Sequence, residues 1–245
     1  MEDGDDLMCK PHWIKRKVES GNVVEESIFL AHPKKFWMHK STAKTKSKKV
    51  LENFRCRVRN LSRFINSNYS PGDLLVTLTY SRLGYSYLKS KPTTQTTPRD
   101  VAFFAAKEEL QLFLARCKYH AQKAGVPFKA IYITSDIKSS TGHYARVHHH
   151  LLVNNEAKDI VRGCWKHGHT KITPLKNQVD YAPIAYYFLE QTRTTEDQNS
   201  FGRTQSVVAP IISDTYLVNL NEKLVAPEDA QVLSSGYNHI KYCNK

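Results

Sequence analysis

The chain has 245 residues, 40 % of them hydrophobic, which is enough apolar content for a buried core in one large domain or in a core with extensions. No apolar run approaches the 18 or more residues a membrane helix needs. The opening "MEDGDDLMCK" is acidic, without an apolar stretch, and is not expected to be a secretory signal. The net charge of +13 points toward polyanionic partners, and fifteen Lys/Arg against four Asp/Glu between Lys10 and Arg63 concentrate the excess near the N-terminus. With 13 Tyr and 10 Phe available for stacking, nucleic acid is the leading partner class over a merely soluble basic protein. The five cysteines are scattered without a C-x-x-C pair, as expected of a reducing compartment and against a disulfide framework or a zinc knuckle.

Residues 11–38 carry short mixed segments whose weak pattern suggests a hairpin. From about Ser47 to Ile65, Val50, Leu51, Phe54, Val58, Leu61, Phe64 and Ile65 recur at three- and four-residue spacing and predict a helix. Its Lys48, Lys49, Arg55, Arg57, Arg59 and Arg63 fall largely outside that stripe, as a solvated face or a phosphate-contacting one. "NSNYSPGD" is turn chemistry. "DLLVTLTY" reads as a strand with Leu74, Val76, Leu78 and Tyr80 on one face and Leu75, Thr77 and Thr79 on the other. The polar stretch 81–97 is expected to be a long loop. A second helix opens with Thr97 as N-cap and Pro98 in its first turn, and stops at Gly125.

"FKAIYITSD" and "RVHHHLLV" predict two strands of an antiparallel hairpin. A short helix near 156–166, a strand "HTKITPL", and a helix through "IAYYFLEQT" with Asp180 as N-cap follow. Beyond about Thr192 the pattern weakens. The expected plan is α+β, a central largely antiparallel five-stranded sheet with helices packed on it. The expected divisions are a basic N-terminal extension (1–46), a core (47–192) and a C-terminal extension of unassigned role (193–245).

Three consecutive histidines in "ARVHHHLLV" cannot act alike on a strand. Side chains alternate faces, so His149 travels with Val147, Leu151 and Val153, whereas His148 and His150 share the polar face with Arg146 and Asn154. Two same-face histidines lie about 6.6–6.8 Å apart at Cα, within reach of one metal ion. Asp136 on the neighbouring strand and His143 in the loop are candidate third ligands, against the simpler reading that the histidines only hydrogen-bond. On the last helix Ile184, Ala185, Phe188 and Leu189 form the buried stripe, and Tyr186, Tyr187 and Glu190 lie toward the opposite side. A phenolate beside a metal can attack phosphorus and form a covalent intermediate, although most tyrosines are packing residues.

The order of strand "LLVTLTY", strand "RVHHHLLV" and tyrosine-bearing helix resembles that of the HUH endonucleases, the rolling-circle replication initiators (Rep-like proteins) of bacterial plasmids, phages and related mobile elements. The resemblance runs roughly from Leu51 to Gln191. It implies that His148 and His150 hold a divalent metal, Mg²⁺ or Mn²⁺, with Asp136, and that His149 fills the hydrophobic position between them. It also implies that Tyr187, with Tyr186 in reserve, attacks single-stranded DNA or an origin hairpin to give a 5′-phosphotyrosine link and a free 3′-hydroxyl. Many relatives carry a lysine three residues after the tyrosine, where this chain has Glu190. Arg146, Lys48, Lys49, Arg55, Arg57 and Arg59 are the expected DNA contacts. The chain has no G-x-x-x-x-G-K-[ST] phosphate loop, so a separate helicase and polymerase are the expected partners, in the cytoplasm of a host cell. The rival expectations are a non-catalytic basic DNA-binding module, and the same chemistry in a transposase or a conjugative relaxase.

Overall fold

The computed structural model describes residues 11–31, 43–92, 94–138, 143–193, 201–217 and 223–244, with backbone only for 43–47. The chain divides into two compact units, one from Met1–Ser67 with Ala209–Lys245 and one from Asn68–Val208. These are not the divisions expected from composition. The basic helix belongs with the N-terminal strands, and the C-terminal stretch returns to complete their sheet instead of trailing from the core.

In the first unit a hairpin lies within residues 11–31, as β1 (His12–Ser20) and β2 (Val23–Ala31), whereas the segment "KKFWMHK" that the weak pattern also drew on lies outside the described residues. With β8 (Ile211–Leu217), β9 (Gln231–Gly236) and β10 (His239–Cys243) it forms an antiparallel sheet of order β8-β1-β2-β10-β9. Gly21 turns the hairpin at φ 60°, and a Cβ there would lie 2.4 Å from the Asn66 carbonyl, so only glycine lets the end of α1 (Ala43–Asn68) approach. Arg63 of that helix pairs with buried Glu25 at 2.6 Å. β8 and β9 escaped the sequence reading because their side chains are mostly exposed, and β10, although Ile240 and Tyr242 alternate inward, is only five residues long.

The second unit carries the sheet β6-β3-β5-β4-β7, antiparallel throughout. Its strands are β3 (Leu74–Thr79), β4 (Ala130–Ile137), β5 (Tyr144–Val153), β6 (Thr170–Pro174) and the short β7 (Gly202–Arg203). The α+β expectation holds, with a second five-stranded sheet that it did not include. Helix α3 (Pro98–Ala124) starts and stops as its sequence dictates. Thr97 accepts a hydrogen bond from the Asp100 N–H, and Gly125 takes the left-handed conformation at φ 67°. Its Phe103, Leu110, Phe113 and Cys117 pack with Leu74, Val76 and Leu78 of β3, with Tyr80 just beyond it, and with Val147, Leu151 and Val153 of β5. Residues 82–89, expected as loop, form α2 (Arg82–Lys89), capped by the Ser81 hydroxyl, which accepts from the Gly84 N–H.

Helices α4 (Lys158–Cys164) and α5 (Ala182–Glu190) complete the unit. Helix α5 starts one residue later than expected, but the Asp180 carboxylate still accepts from the Ala182 N–H at 3.1 Å. The segment after α4 clamps the end of β3. The Trp165 indole donates to the Thr79 carbonyl at 3.1 Å, and Thr79 and His169 exchange two backbone hydrogen bonds. Glu109, 3 % exposed, accepts from Tyr87, Lys91 and His167 and ties this segment to α2 and α3. No helix of the described residues is long and apolar enough to cross a membrane, and the four described cysteines form no disulfide.

Gly168 sits where a Cβ would meet the Thr79 carbonyl oxygen at 2.1 Å and the Ser81 nitrogen at 2.6 Å, both rigid backbone atoms. Gly168→Ala is expected to cost about 1–3 kcal/mol through overpacking and to lower the melting midpoint by about 2–10 °C, as read by circular dichroism. An unchanged midpoint refutes the clamp.

Candidate functional site

The site is built on β5, the central strand, and its register with both neighbours fixes which histidine points where. His149 lies opposite Leu78 and Thr134, His148 opposite Thr79 and Ser135, and His150 opposite Thr77 and Ile133. The face holding Leu78 is the core face under α3, so His149 is fully buried. There it meets two hydroxyls, Tyr80 at 2.9 Å on Nε2 and Thr134 at 3.0 Å on Nδ1, and the Trp165 ring edge-on at 5.8 Å. Burial, reinforced by the neighbouring imidazoles, pushes its pKa down to about 3. It is a neutral, satisfied core histidine, as alternation predicted.

His148 and His150 share the opposite face, with their rings perpendicular at 4.9 Å. His148 Nδ1 lies 3.0 Å from the Arg146 carbonyl. A carbonyl only accepts, so Nδ1 carries the proton and Nε2 of the neutral ring keeps its lone pair, the arrangement that orients a ligating imidazole. His150 is 3 % exposed. Its Nδ1 lies 3.2 Å from the Thr77 hydroxyl and its Nε2 lies 3.1 Å from Oε1 of Gln191. The Gln191 amide nitrogen donates to the Tyr187 carbonyl at 3.1 Å, which fixes the side chain with its oxygen toward His150. Burial first, then the charge of His148, pushes the His150 pKa down to about 4, although the Gln191 hydrogen bond works the other way.

Helix α5 brings Tyr187 against this pair, its ring 5.3 Å from that of His150 at 69°. Tyr187, His148, His150, Thr77, Thr79 and Gln191 line one cleft of about 350 Å³, with Lys138, Arg146 and Lys171 supplying positive charge. Periodicity left Tyr186 and Tyr187 equivalent and only the resemblance preferred Tyr187; the structure separates them. Tyr186 is 51 % exposed and does not line the cleft, whereas Tyr187 is half-buried within it.

Asp136 is not brought to the histidine pair. Thr134 faces the α3 side and Ser135 the cleft side, where its hydroxyl donates to the Gln191 carbonyl at 2.8 Å. The carboxylate of Asp136, the next residue, is instead gripped by Arg99 and Arg193, at 2.5 Å and 2.6 Å on one oxygen. Burial works to raise its pKa, but the hydrogen bonds and charges of Arg193 and Arg99 outweigh it, so the net shift is downward and the group is an anion already neutralised. His143 is likewise not among the residues lining the cleft. Among the described residues, no three His, Cys, Asp or Glu side chains cluster as a metal would require.

If the carboxamide is counted, three side chains lining the cleft could serve as donors to a divalent ion. His148 Nε2 and His150 Nε2 supply imidazole nitrogens, and Gln191 Oε1 supplies an oxygen 3.1 Å from the latter, near the spacing of adjacent ligands around an ion with bonds of about 2.1 Å. The Thr77 hydroxyl can accept as well as donate, so the His150 proton can move to Nδ1 and free Nε2. Two imidazoles with an oxygen suit Mn²⁺ and tolerate Mg²⁺. The sequence reading missed Gln191, although it lies four residues after Tyr187, the spacing that shares a helix face. It also missed Lys171, which reaches the cleft only because β6 pairs beside β3 with Lys171 opposite Thr77.

The expected DNA-contacting cations are split between the two units. Arg146 lines the cleft. In the other unit Lys48, Lys49, Arg55 and Arg59 are exposed on α1, whereas Arg57 is half-buried and its pKa is lowered by that burial. No family model, curated protein or solved structure matches the chain.

The two depressed histidines make a prediction with a definite sign. Both stay neutral in the fold, whereas unfolded imidazoles protonate near pH 6.5, so below that pH the unfolded state binds more protons and stability falls. The loss is expected to be on the order of 3–5 kcal/mol from His149 alone by about pH 3. The urea midpoint is therefore expected to drop steadily between about pH 7 and pH 4.5, and a flat midpoint over that range refutes the neutral burial of the pair.

Proposed function

We propose that this chain is a metal-dependent enzyme that nicks and rejoins single-stranded DNA through a 5′-phosphotyrosine intermediate, in the service of rolling-circle replication. The observation that carries the reading is the placement of the Tyr187 phenol beside two same-face imidazoles in a cleft lined by Lys138, Arg146 and Lys171. His148 Nε2, His150 Nε2 and Gln191 Oε1 would hold the ion, which supplies a Lewis acid for the non-bridging oxygens of the scissile phosphate. The three cations bind the phosphodiester chain, and α5 holds the phenol against the imidazole pair so that approach is not left to diffusion. Tyr187 Oη forms a bond to phosphorus as the bond from phosphorus to the 3′-oxygen breaks. The phenol loses its proton and the leaving oxygen gains one as the 3′-hydroxyl. A phosphodiester is exchanged for a phosphotyrosine diester, so attack by a 3′-hydroxyl reverses the step and joins strands. A separate helicase and polymerase, in a host cytoplasm, belong to the same proposal.

One observation favours a second reading, a non-catalytic DNA-binding module. Both nitrogens of His150 already have partners within the chain, Thr77 and Gln191. The same chemistry in transposition or conjugation differs only in the DNA that is cut.

The deciding test is a denaturing gel of the protein with single-stranded oligonucleotides labelled at either end, with Mn²⁺ or with EDTA. A metal-dependent adduct carrying only the label downstream of the cut, lost in Tyr187→Phe and kept in Tyr186→Phe, is expected. Binding without any adduct across a diverse oligonucleotide pool leaves the module reading. Gln191→Ala is expected to raise the Mn²⁺ concentration needed for half-maximal adduct formation by about 10- to 100-fold, and an unchanged requirement removes Gln191 from the ion's surroundings. Arg55→Ala with Arg59→Ala is expected to flatten the slope of log affinity against log salt by up to about 1.4 on single strands. An unchanged slope excludes that helix from the interface.

A further inference from the structure

Asp136 is buried at the centre of an ion network. Its Oδ2 accepts from Arg99 Nε at 2.5 Å and from Arg193 at 2.6 Å, its Oδ1 accepts from Arg193 Nε at 3.1 Å, and Arg193 also donates to Asp100 at 2.6 Å. A guanidinium held this way cannot wander, and the Arg99 guanidinium carbon stands 3.4 Å from the centroid of the Tyr144 ring. Tyr144 opens β5, four residues before His148, and is 74 % exposed. An exposed tyrosine at a hairpin rim ordinarily samples several rotamers. Here an anchored cation against one face of the ring fixes its plane and leaves most of its surface to solvent. Tyr144 pairs across the hairpin with Ile137, which lines the cleft, and the two tyrosines that line it are committed, Tyr80 to His149 and Tyr187 to His150.

We propose that Tyr144, backed by Arg99, is a base-stacking platform for an unpaired nucleotide of the strand that occupies the cleft. The inference rests on the reading of that cleft as a site for single-stranded DNA, and it deepens that reading by supplying a basis for preferring single strands. A base inside a duplex has both faces stacked on its neighbours, whereas an unpaired base offers its face to an aromatic ring. Four strand residues span about 13 Å, so the stacked base lies near the scissile phosphate without being attached to it. Stacking tolerates any base, so the platform acts on strandedness and not on sequence. The buried carboxylate thereby has a role that is not metal binding. It fixes the arginine that fixes the ring.

The test uses the full chain carrying Tyr187→Phe, in EDTA, so that no bond is cut. A fluorescein-labelled mixed-sequence single strand of about 30 nucleotides and the same sequence as a duplex are titrated by anisotropy. Tyr144→Ala is expected to weaken single-strand binding by about tenfold and to leave duplex binding unchanged, while Tyr144→Phe and Tyr144→Trp keep the affinity of the parent. In the Trp variant, quenching of the new indole by the single strand, absent with the duplex, is the expected spectroscopic signature. Equal single-strand affinity of Tyr144→Ala and its parent overturns the proposal, as does an equal loss on single strand and duplex. The nicking gel reports separately. An absent adduct with intact Tyr144 dependence overturns the nicking chemistry and upholds the platform, whereas an adduct with no Tyr144 dependence does the reverse.

Discussion

The arrangement of the second unit depends on the burial of one imidazole. His149 occupies the core face of the central strand with both ring nitrogens satisfied by the hydroxyls of Tyr80 and Thr134 and its ring against Trp165. A polar ring in that position costs several kcal/mol if its nitrogens go unpaired, so the register in which those hydroxyls face it is strongly preferred. A slip of β5 by one residue would exchange the faces of all three histidines. It would bury the cleft pair under α3 and expose His149 beside Tyr187.

From that register the rest of the cleft follows. β3 lies beside β5 with Thr77 and Thr79 opposite His150 and His148, and the segment from Trp165 to His169 clamps the end of β3 through the Thr79 backbone. Helix α5 docks with the Phe188 ring 6.0 Å from that of His150, and that docking carries Tyr187 and Gln191 to the imidazole pair. The geometry is thus held by backbone pairing and apolar packing.

The two sides of the sheet use charge differently. On the α3 side carboxylates are consumed internally, Asp136 by two arginines and Glu109 by Lys91, Tyr87 and His167. The cleft side has cations and neutral donors among its lining residues and no carboxylate. That asymmetry suits a polyanion, because a free carboxylate beside a phosphate would repel it. It also removes the obvious oxygen ligand, which is why the carboxamide of Gln191 becomes the candidate in its place.

The sequence by itself determined the faces. Period-two alternation separated His149 from His148 and His150. Apolar spacing placed α3 and α5, and Thr97 and Gly125 bounded α3. These signals are local, because a side chain's face depends only on its own strand or helix. What only the tertiary structure decided were relations between distant segments. Asp136 was assigned to the histidines because it lies on the neighbouring strand, but two arginines far apart in sequence, Arg99 and Arg193, claim it from the other side. Tyr186 and Tyr187 were indistinguishable by periodicity, and only the docking angle of α5 turned Tyr187 toward the cleft. Lys171 carries no local mark that would set it apart, and Gln191 only its four-residue spacing from Tyr187. They reach the cleft through strand order and helix placement, which depend on how the whole unit buries its apolar surface. The same limit hid the division of the chain, in which β8 and β10 return to pair with β1 and β2 of the first hairpin.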